Sequence, residues 1–146
     1  MESFSGEQVV LNGEGGFFDG EEYILLPGKT YTVGRSSLCE ISLKSTARFQ
    51  TLEEEGLLLD DSFRLTSGKH FTITVHDSGE YANTATDLKV RIRGSIKVVI
   101  KCISENGISV NGKRFTELII PDLGTAVHYI EFGAGEKFRL SLRKLS

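Results

Sequence analysis

The sequence is poor in the features that mark most enzymes, metal proteins and membrane proteins. Cys39 and Cys102 are its only cysteines, and they show no CxxC spacing. Both fall in apolar, strand-like patterns, so they read as two buried thiols rather than a disulfide or a zinc site. That usage fits a reducing cytoplasm. No apolar run approaches the ~20 residues of a membrane-spanning helix, so no membrane contact is expected of this chain. Met1-Glu2-Ser3-Phe4 lacks the charged and apolar regions of a signal peptide. GxSxG, HExxH, P-loop and Cys–His nucleophile patterns are missing, so no catalytic residue and no cofactor are assigned. The carboxylates of Glu53 to Glu55 and Asp60-Asp61 read as solvated loop charge. A net charge of -3 offers no general attraction to nucleic acid or acidic membranes. Any anion site must therefore be a local cluster of cations.

Proline is also scarce, with two residues, whereas 16 glycines punctuate the chain. Between these turn signals lie short runs of period two. Phe71, Ile73 and Val75 alternate with Thr72, Thr74 and His76, and His70 heads the run. Leu88, Val90 and Ile92 alternate with Lys89, Arg91 and Arg93. Ile96, Val98, Ile100 and Cys102 continue the pattern, and Phe138, Leu140 and Leu142 close it. Such alternation marks half-buried antiparallel strands. Asn111-Gly112 is a strong hairpin turn; Asp19-Gly20 and Pro27-Gly28 are further turns. The expected fold is an all-β antiparallel sandwich of roughly 10 or 11 short strands. At 146 residues it forms one domain, with a core over residues 17–142. Arg143-Lys144-Leu145-Ser146 reads as the tail where the domain, or a fragment, stops.

One stretch breaks this rhythm. Residues 45–66 form an extended loop in which Phe49 and Leu52 are spaced for one face of a short helix that Gly56 ends. A second departure is the basic set Lys89, Arg91, Arg93, Lys97 and Lys101. It is read as either a solvated sheet face or a docking surface for an acidic partner. It lacks the aromatic interleaving of a nucleic-acid surface.

Three segments, far apart in sequence, carry the candidate chemistry: Gly34-Arg35-Ser36, Ser67-Gly68-Lys69-His70 and Ser104-Glu105-Asn106-Gly107. Phosphate recognition needs an arginine fork, hydroxyls, lysine and backbone N–H groups. Arg35 follows a turn glycine. Ser67 is read as beginning a strand, with Lys69 on the same side by strand period. The Asn106 amide is able to grip both N–H and C=O of an extended peptide. His70 reads as a buried histidine bonded to loop backbone, and His76 and His128 as lone histidines without metal partners.

Tyr31-Thr32-Val33-Gly34-Arg35-Ser36, followed by Cys39-Glu40-Ile41-Ser42-Leu43, resembles the opening of a forkhead-associated (FHA) domain. Ser67 to His70 resembles that family's Ser-x-x-His. Asn106-Gly107-Ile108-Ser109-Val110-Asn111-Gly112 resembles its paired Asn-Gly element. The resemblance runs from about Phe17 to Leu142, and the long loop resembles a variant of bacterial FHA modules. It implies a sandwich whose loops bind a phosphothreonine peptide or protein, as an interaction module in Ser/Thr kinase signalling. By position, Arg35 holds the peptide backbone and phosphate, Ser67 donates to the phosphate, and Asn106 bonds the backbone just after the phosphothreonine. Lys69 joins this phosphopeptide set; Gly34, His70 and Gly107 are architectural.

Two positions depart from the family pattern. Gly68 stands where many members carry arginine or asparagine. Glu105 stands where Thr, Ser or another small group is usual. Unit charges ~4 Å apart at a surface-like dielectric interact by about 4 kcal/mol before screening. Glu105 therefore either turns outward, or pairs with Arg35 or Lys69 and obstructs the site. Lys69, Lys44 and Arg48 are the cations available to compensate. The alternative reading is a degenerate FHA-like domain that mediates phosphate-independent assembly.

Overall fold

In the computed structural model the period-two runs fold into strands, and the apolar sides of those led by Phe71, Ile96 and Phe138 meet in one core. The structure describes residues 3–4, 7–58, 62–77, 80–83, 88–93 and 95–144. In chain order the strands are β1 (Ser3–Phe4), β2 (Glu7–Gly15), β3 (Glu22–Leu25), β4 (Thr30–Gly34), β5 (Ile41–Ser42), β6 (Phe71–Asp77) and β7 (Glu80–Asn83). The rest are β8 (Leu88–Arg93), β9 (Ile96–Cys102), β10 (Ile108–Val110), β11 (Lys113–Phe115), β12 (Glu117–Ile120), β13 (His128–Phe132) and β14 (Glu136–Lys144).

Two large sheets form the sandwich. One has six strands in the order β11-β10-β13-β14-β2-β3, and the other five in the order β12-β9-β6-β4-β5. A smaller sheet, β1-β8-β7, accompanies them. Phe71, Ile73 and Val75 of β6 and Val98 and Ile100 of β9 are fully buried. They share one cluster with Leu11, Ile130, Phe138 and Leu140 of the opposite sheet. Each such side chain contributes roughly 1.5–3 kcal/mol of burial, so the alternation read from sequence is what holds the sheets face to face. The core also takes in Val9 and Leu11 from β2, ahead of Phe17. Strand β2 pairs with β14 on one side and β3 on the other, so it is an interior strand.

The turns behave as their residues require. Asn111 (φ 53°) and Gly112 (φ 83°) close the β10–β11 hairpin, with Val110 opposite Lys113. Both central residues of such a turn need positive φ, which Asn and Gly supply.

The inserted loop carries helix α1 (Ala47–Glu54) and a 3-10 turn at Ser62–Leu65. Thr46 caps α1 by accepting the Phe49 amide at 3.2 Å. Gly56 ends it with φ 68°. There the Gly56 N–H reaches Glu53 O and the Leu57 N–H reaches Leu52 O at 2.8 Å, the two bonds of a Schellman stop. Phe49 is buried edge-on against Phe17 and Phe63, both centroids 5.4 Å away. Arg48 donates to Gly16 O at 3.0 Å. The insertion is therefore tied to the body of the domain by an aromatic trio and a charged hydrogen bond.

The basic set does not form one face. Lys89, Arg91 and Arg93 belong to β8 in the small sheet, whereas Lys97 and Lys101 lie on β9 in the five-stranded sheet. The side chains of Lys89, Arg91 and Arg93 lie outside the described residues.

Candidate functional site

The three candidate segments converge at one end of the sandwich, and hydrogen bonds between them account for their placement. At the end of β4 the Arg35 N–H donates to Ser67 O at 2.9 Å and the Ser36 N–H to Gly68 O at 3.1 Å. A Cβ at Gly34 would stand 2.3 Å from Gly68 O and 2.9 Å from Ser67 O. The first and second segments touch backbone to backbone, and only glycine allows it. Ser67 to His70 is a turn, and strand β6 begins at Phe71. The strand period expected to align Ser67 with Lys69 therefore does not apply: Ser67 is half-buried and bonded inward, while Lys69 is exposed.

His70 is fully buried and holds two of the segments together. Its Nδ1 accepts the Ser67 amide at 3.0 Å, and its Nε2 lies 2.7 Å from Gly107 O. An amide donor on Nδ1 and a carbonyl on Nε2 require the neutral ring protonated on Nε2. Burial disfavours the imidazolium and lowers the pKa, partly offset by the bond to Gly107.

Around this pin the polar groups are arranged in order. The Ser67 hydroxyl bonds the Ser104 hydroxyl, and Ser104 Oγ accepts the Asn106 amide at 3.0 Å. Asn106 Nδ2 donates to Leu65 O at 2.9 Å. Arg35 Nη1 donates to Arg64 O at 3.0 Å and to Thr66 O at 3.2 Å. The carbonyls of three consecutive residues, Arg64 to Thr66, thus anchor one arm of Arg35 and one of Asn106. Among the described residues, Arg35 keeps its remaining side-chain N–H donors, and Asn106 its Oδ1 acceptor and a second amide hydrogen, without a partner. Gly107 turns the chain at φ 77°.

Glu105 is exposed, and among the described residues no ion pair joins it to Arg35 or Lys69. The pairing that would obstruct the site, weighed from the sequence, is therefore not made among the described residues. Gly68 contributes no side chain, but its carbonyl also accepts the Cys39 thiol at 3.1 Å. Arg48 is directed to Gly16 O and the buried Glu136 carboxylate, so it does not serve the anion cluster. Cys39 is buried, Cys102 is half-buried, and both are free thiols.

Two neighbours of the site were given no role of their own from sequence. Ser104 supplies the hydroxyl that links Ser67 to Asn106. Its signal was available, since a serine two residues before a turn residue often caps that residue's amide. Arg114 donates to Asn106 O at 3.3 Å and is brought there by the β10–β11 hairpin, whose register the Asn111-Gly112 turn fixes. Among the described residues no cluster of three His, Cys, Asp or Glu could hold a metal.

No protein-family model and no curated protein matches the sequence. Solved structures do match. The FHA domain of the CT664 protein from Chlamydia trachomatis aligns over 95% of this chain and 99% of that one, with 18% identity and a TM-score of 0.56. The yeast Dun1 FHA domain, solved with a doubly phosphorylated peptide derived from Rad53, aligns over 100% of this chain and 80% of that one (16% identity, TM-score 0.55). The MEK1 FHA domain, solved with a HOP1 phosphothreonine peptide, aligns over 94% and 97% (14% identity, TM-score 0.53). The chain has the forkhead-associated fold, a β-sandwich with its candidate site on the loops at one end.

Proposed function

We propose that this chain is a phosphothreonine-peptide-binding interaction module, working in Ser/Thr kinase signalling. The observation that carries the reading is the anchoring of Arg35 and Asn106 on the Arg64 to Thr66 carbonyls, beside the Ser67 hydroxyl. Each side chain has one arm immobilised and its other groups available. Fixed donors lose little entropy on engaging a ligand, which is what an anion beside an extended backbone requires. Arg35 and Ser67 hold the phosphate in this reading, Lys69 adds charge at the rim, and Asn106 pairs with peptide backbone. That two structures of the same fold hold phosphorylated peptides supports the same ligand class. The two free thiols suit the cytoplasmic setting that is part of the proposal.

The test is an amide-NMR titration with matched phosphothreonine and threonine peptide pools. Shifts at Gly34, Ser67, Lys69 and Asn106 with the phosphorylated pool alone are expected. Silence with both pools would overturn the reading in favour of phosphate-independent assembly.

A further inference from the structure

A buried carboxylate outside the donor set stands behind the loop that supports it. Glu136 opens β14 and is 2% exposed. Its Oε2 accepts the Phe17 amide and its Oε1 the Phe18 amide, each at 3.2 Å, in the 3-10 turn Gly16–Phe18. A Cβ at Gly16 would stand 2.3 Å from Oε1, so the carboxylate lies directly against that turn. The same turn offers its Gly16 carbonyl to Arg48 of α1 at 3.0 Å. Arg48 and Glu136 also line one cavity of about 110 Å³ with Leu52 of α1. A carboxylate, a turn and an arginine thus latch the inserted helix to the sandwich.

The latch leads to the site by two routes. Phe17 meets Phe49 of α1 and Phe63, at centroid distances of 5.4 and 6.3 Å. The Phe63 carbonyl accepts the Thr66 amide at 3.2 Å, closing the turn whose Arg64, Leu65 and Thr66 carbonyls anchor Arg35 and Asn106. On the second route, the β13–β14 turn that leads into Glu136 packs on Thr66. A Cβ at Gly133 would stand 2.2 Å from Thr66 Oγ1.

Charged groups face this carboxylate from two sides. Arg48 comes from α1, and Glu131 and Arg114 line the cavity of about 220 Å³ that Glu136 shares with Asn106. Burial raises the Glu136 pKa, whereas the Phe17 and Phe18 amides and Arg48 lower it. An uncharged side chain would fill the same space without the cost of burying a charge. Because coupling is reciprocal, a cation that favours the ionised carboxylate is itself favoured by it. Ionisation therefore costs the fold stability but draws Arg48, and α1 with it, onto the turn.

We infer that Glu136 is a positioning residue for phosphopeptide binding, setting through Arg48 and Phe17 the loop carbonyls that hold Arg35 and Asn106. The inference rests on the function proposed above and adds a regulating group to it. Peptide affinity rises with the ionisation of a carboxyl that lies outside the donor set.

The test compares wild type with Glu136→Gln, Arg48→Gln and the double variant, each binding one phosphothreonine peptide in calorimetry from pH 7.5 to 4.5. The phosphate's own titration cancels in the ratio of two affinities. At the upper pH each single variant is expected to bind about fivefold more weakly than wild type, the low end of coupling between sites. The double variant is expected to bind no more weakly than either. For Glu136→Gln the ratio should fall towards one as the pH drops and the carboxyl protonates. Stability should run the other way, wild type gaining on Glu136→Gln over the same drop; a residue that merely supports the fold would move both together. Equal affinities at the upper pH, a ratio that ignores pH, or additive losses in the double variant would overturn the inference and leave the proposed function standing. Arg48 is exposed, so Arg48→Gln keeps the core and tests the latch even if Glu136→Gln misfolds. The Arg35 Nε–H and Asn106 side-chain amide resonances of the free protein are expected to shift in both single variants. If wild type binds no phosphopeptide, the proposed function falls; shifted resonances would then sustain the positioning role, and unmoved ones would overturn it too.

Discussion

His70 Nε2 lies 2.7 Å from the carbonyl of Gly107, across 37 positions of sequence. With Nδ1 accepting from Ser67, this ring is the joint between the second and third segments of the site. Its pKa is held below 6.5, first by burial. A base with a depressed folded-state pKa contributes stability that is full above its unfolded value and is lost as the pH falls. The stability advantage of wild type over His70→Asn should therefore shrink as pH falls below 6.5. Urea unfolding of both proteins between pH 7.5 and 5 checks this; a constant difference would contradict it. At neutral pH, His70→Ala should cost about 2–3 kcal/mol, since it orphans a buried amide and a carbonyl.

Gly34 is set by contact rather than by φ, because its Cβ would meet Gly68 O at 2.3 Å. Gly34→Ala should destabilise the domain by about 2–4 kcal/mol and weaken peptide binding, since segments one and two must separate. Gly68 has open space where its Cβ would stand. Gly68→Ala should stay within about 0.5 kcal/mol of wild type. Equal thermal shifts for the two variants would refute the assignment.

Arg35→Ala should reduce phosphopeptide affinity at least ~100-fold while preserving the dispersed amide spectrum of a fold. Arg35→Lys should recover little, because an ammonium lacks the fork that reaches the Arg64 and Thr66 carbonyls and a phosphate together. Calorimetry with one phosphothreonine peptide decides it. Unchanged affinity in the alanine variant would dispose of the phosphate reading.

Glu105 is exposed beside Asn106. In water, unit charges ~4 Å apart repel by about 1 kcal/mol, or ~5-fold in affinity. Glu105→Thr should tighten phosphopeptide binding by about that factor at low salt, and by less as ionic strength rises. A variant no tighter than wild type at low salt would show that the carboxylate does not sense the phosphate.

Glu136 is a buried carboxylate that accepts the Phe17 and Phe18 amides, each at 3.2 Å. Burial, the largest influence, raises its pKa above 4.5 against the pull of those amides and of Arg48. A carboxyl with a raised folded-state pKa contributes stability that is present below its unfolded value and lost as the pH rises. Wild type should therefore lose stability relative to Glu136→Gln as the pH climbs from 4.5 to 7.5. Denaturant midpoints of the pair across that range give the sign directly.

Much of this molecule was legible in its sequence because its rules are local. Period-two alternation in Phe71 to Val75 and Ile96 to Ile100 marks the strands, since one residue in two must face the core. Asn111-Gly112 marks a hairpin, because few residues tolerate positive φ. Gly56 stops α1 for the same reason. The inward place of Glu136 was passed over, although it keeps step with Phe138 and Leu140. Strand β2 was passed over although Val9, Val10 and Leu11 are buried; a consecutive apolar run shows no alternation to read.

By itself the sequence determined the sandwich, its turns, and the residue types needed to hold an anion. Only the tertiary structure decided how those residues meet. The Arg64 to Thr66 carbonyls anchor Arg35 and Asn106 because Phe17, Phe49 and Phe63 seat the inserted loop. Lys89 and Lys97 part because β8 and β9 enter different sheets. Side-chain direction in a strand follows from the chain's own geometry. Contacts between segments 30 or more positions apart depend on packing that no local pattern encodes.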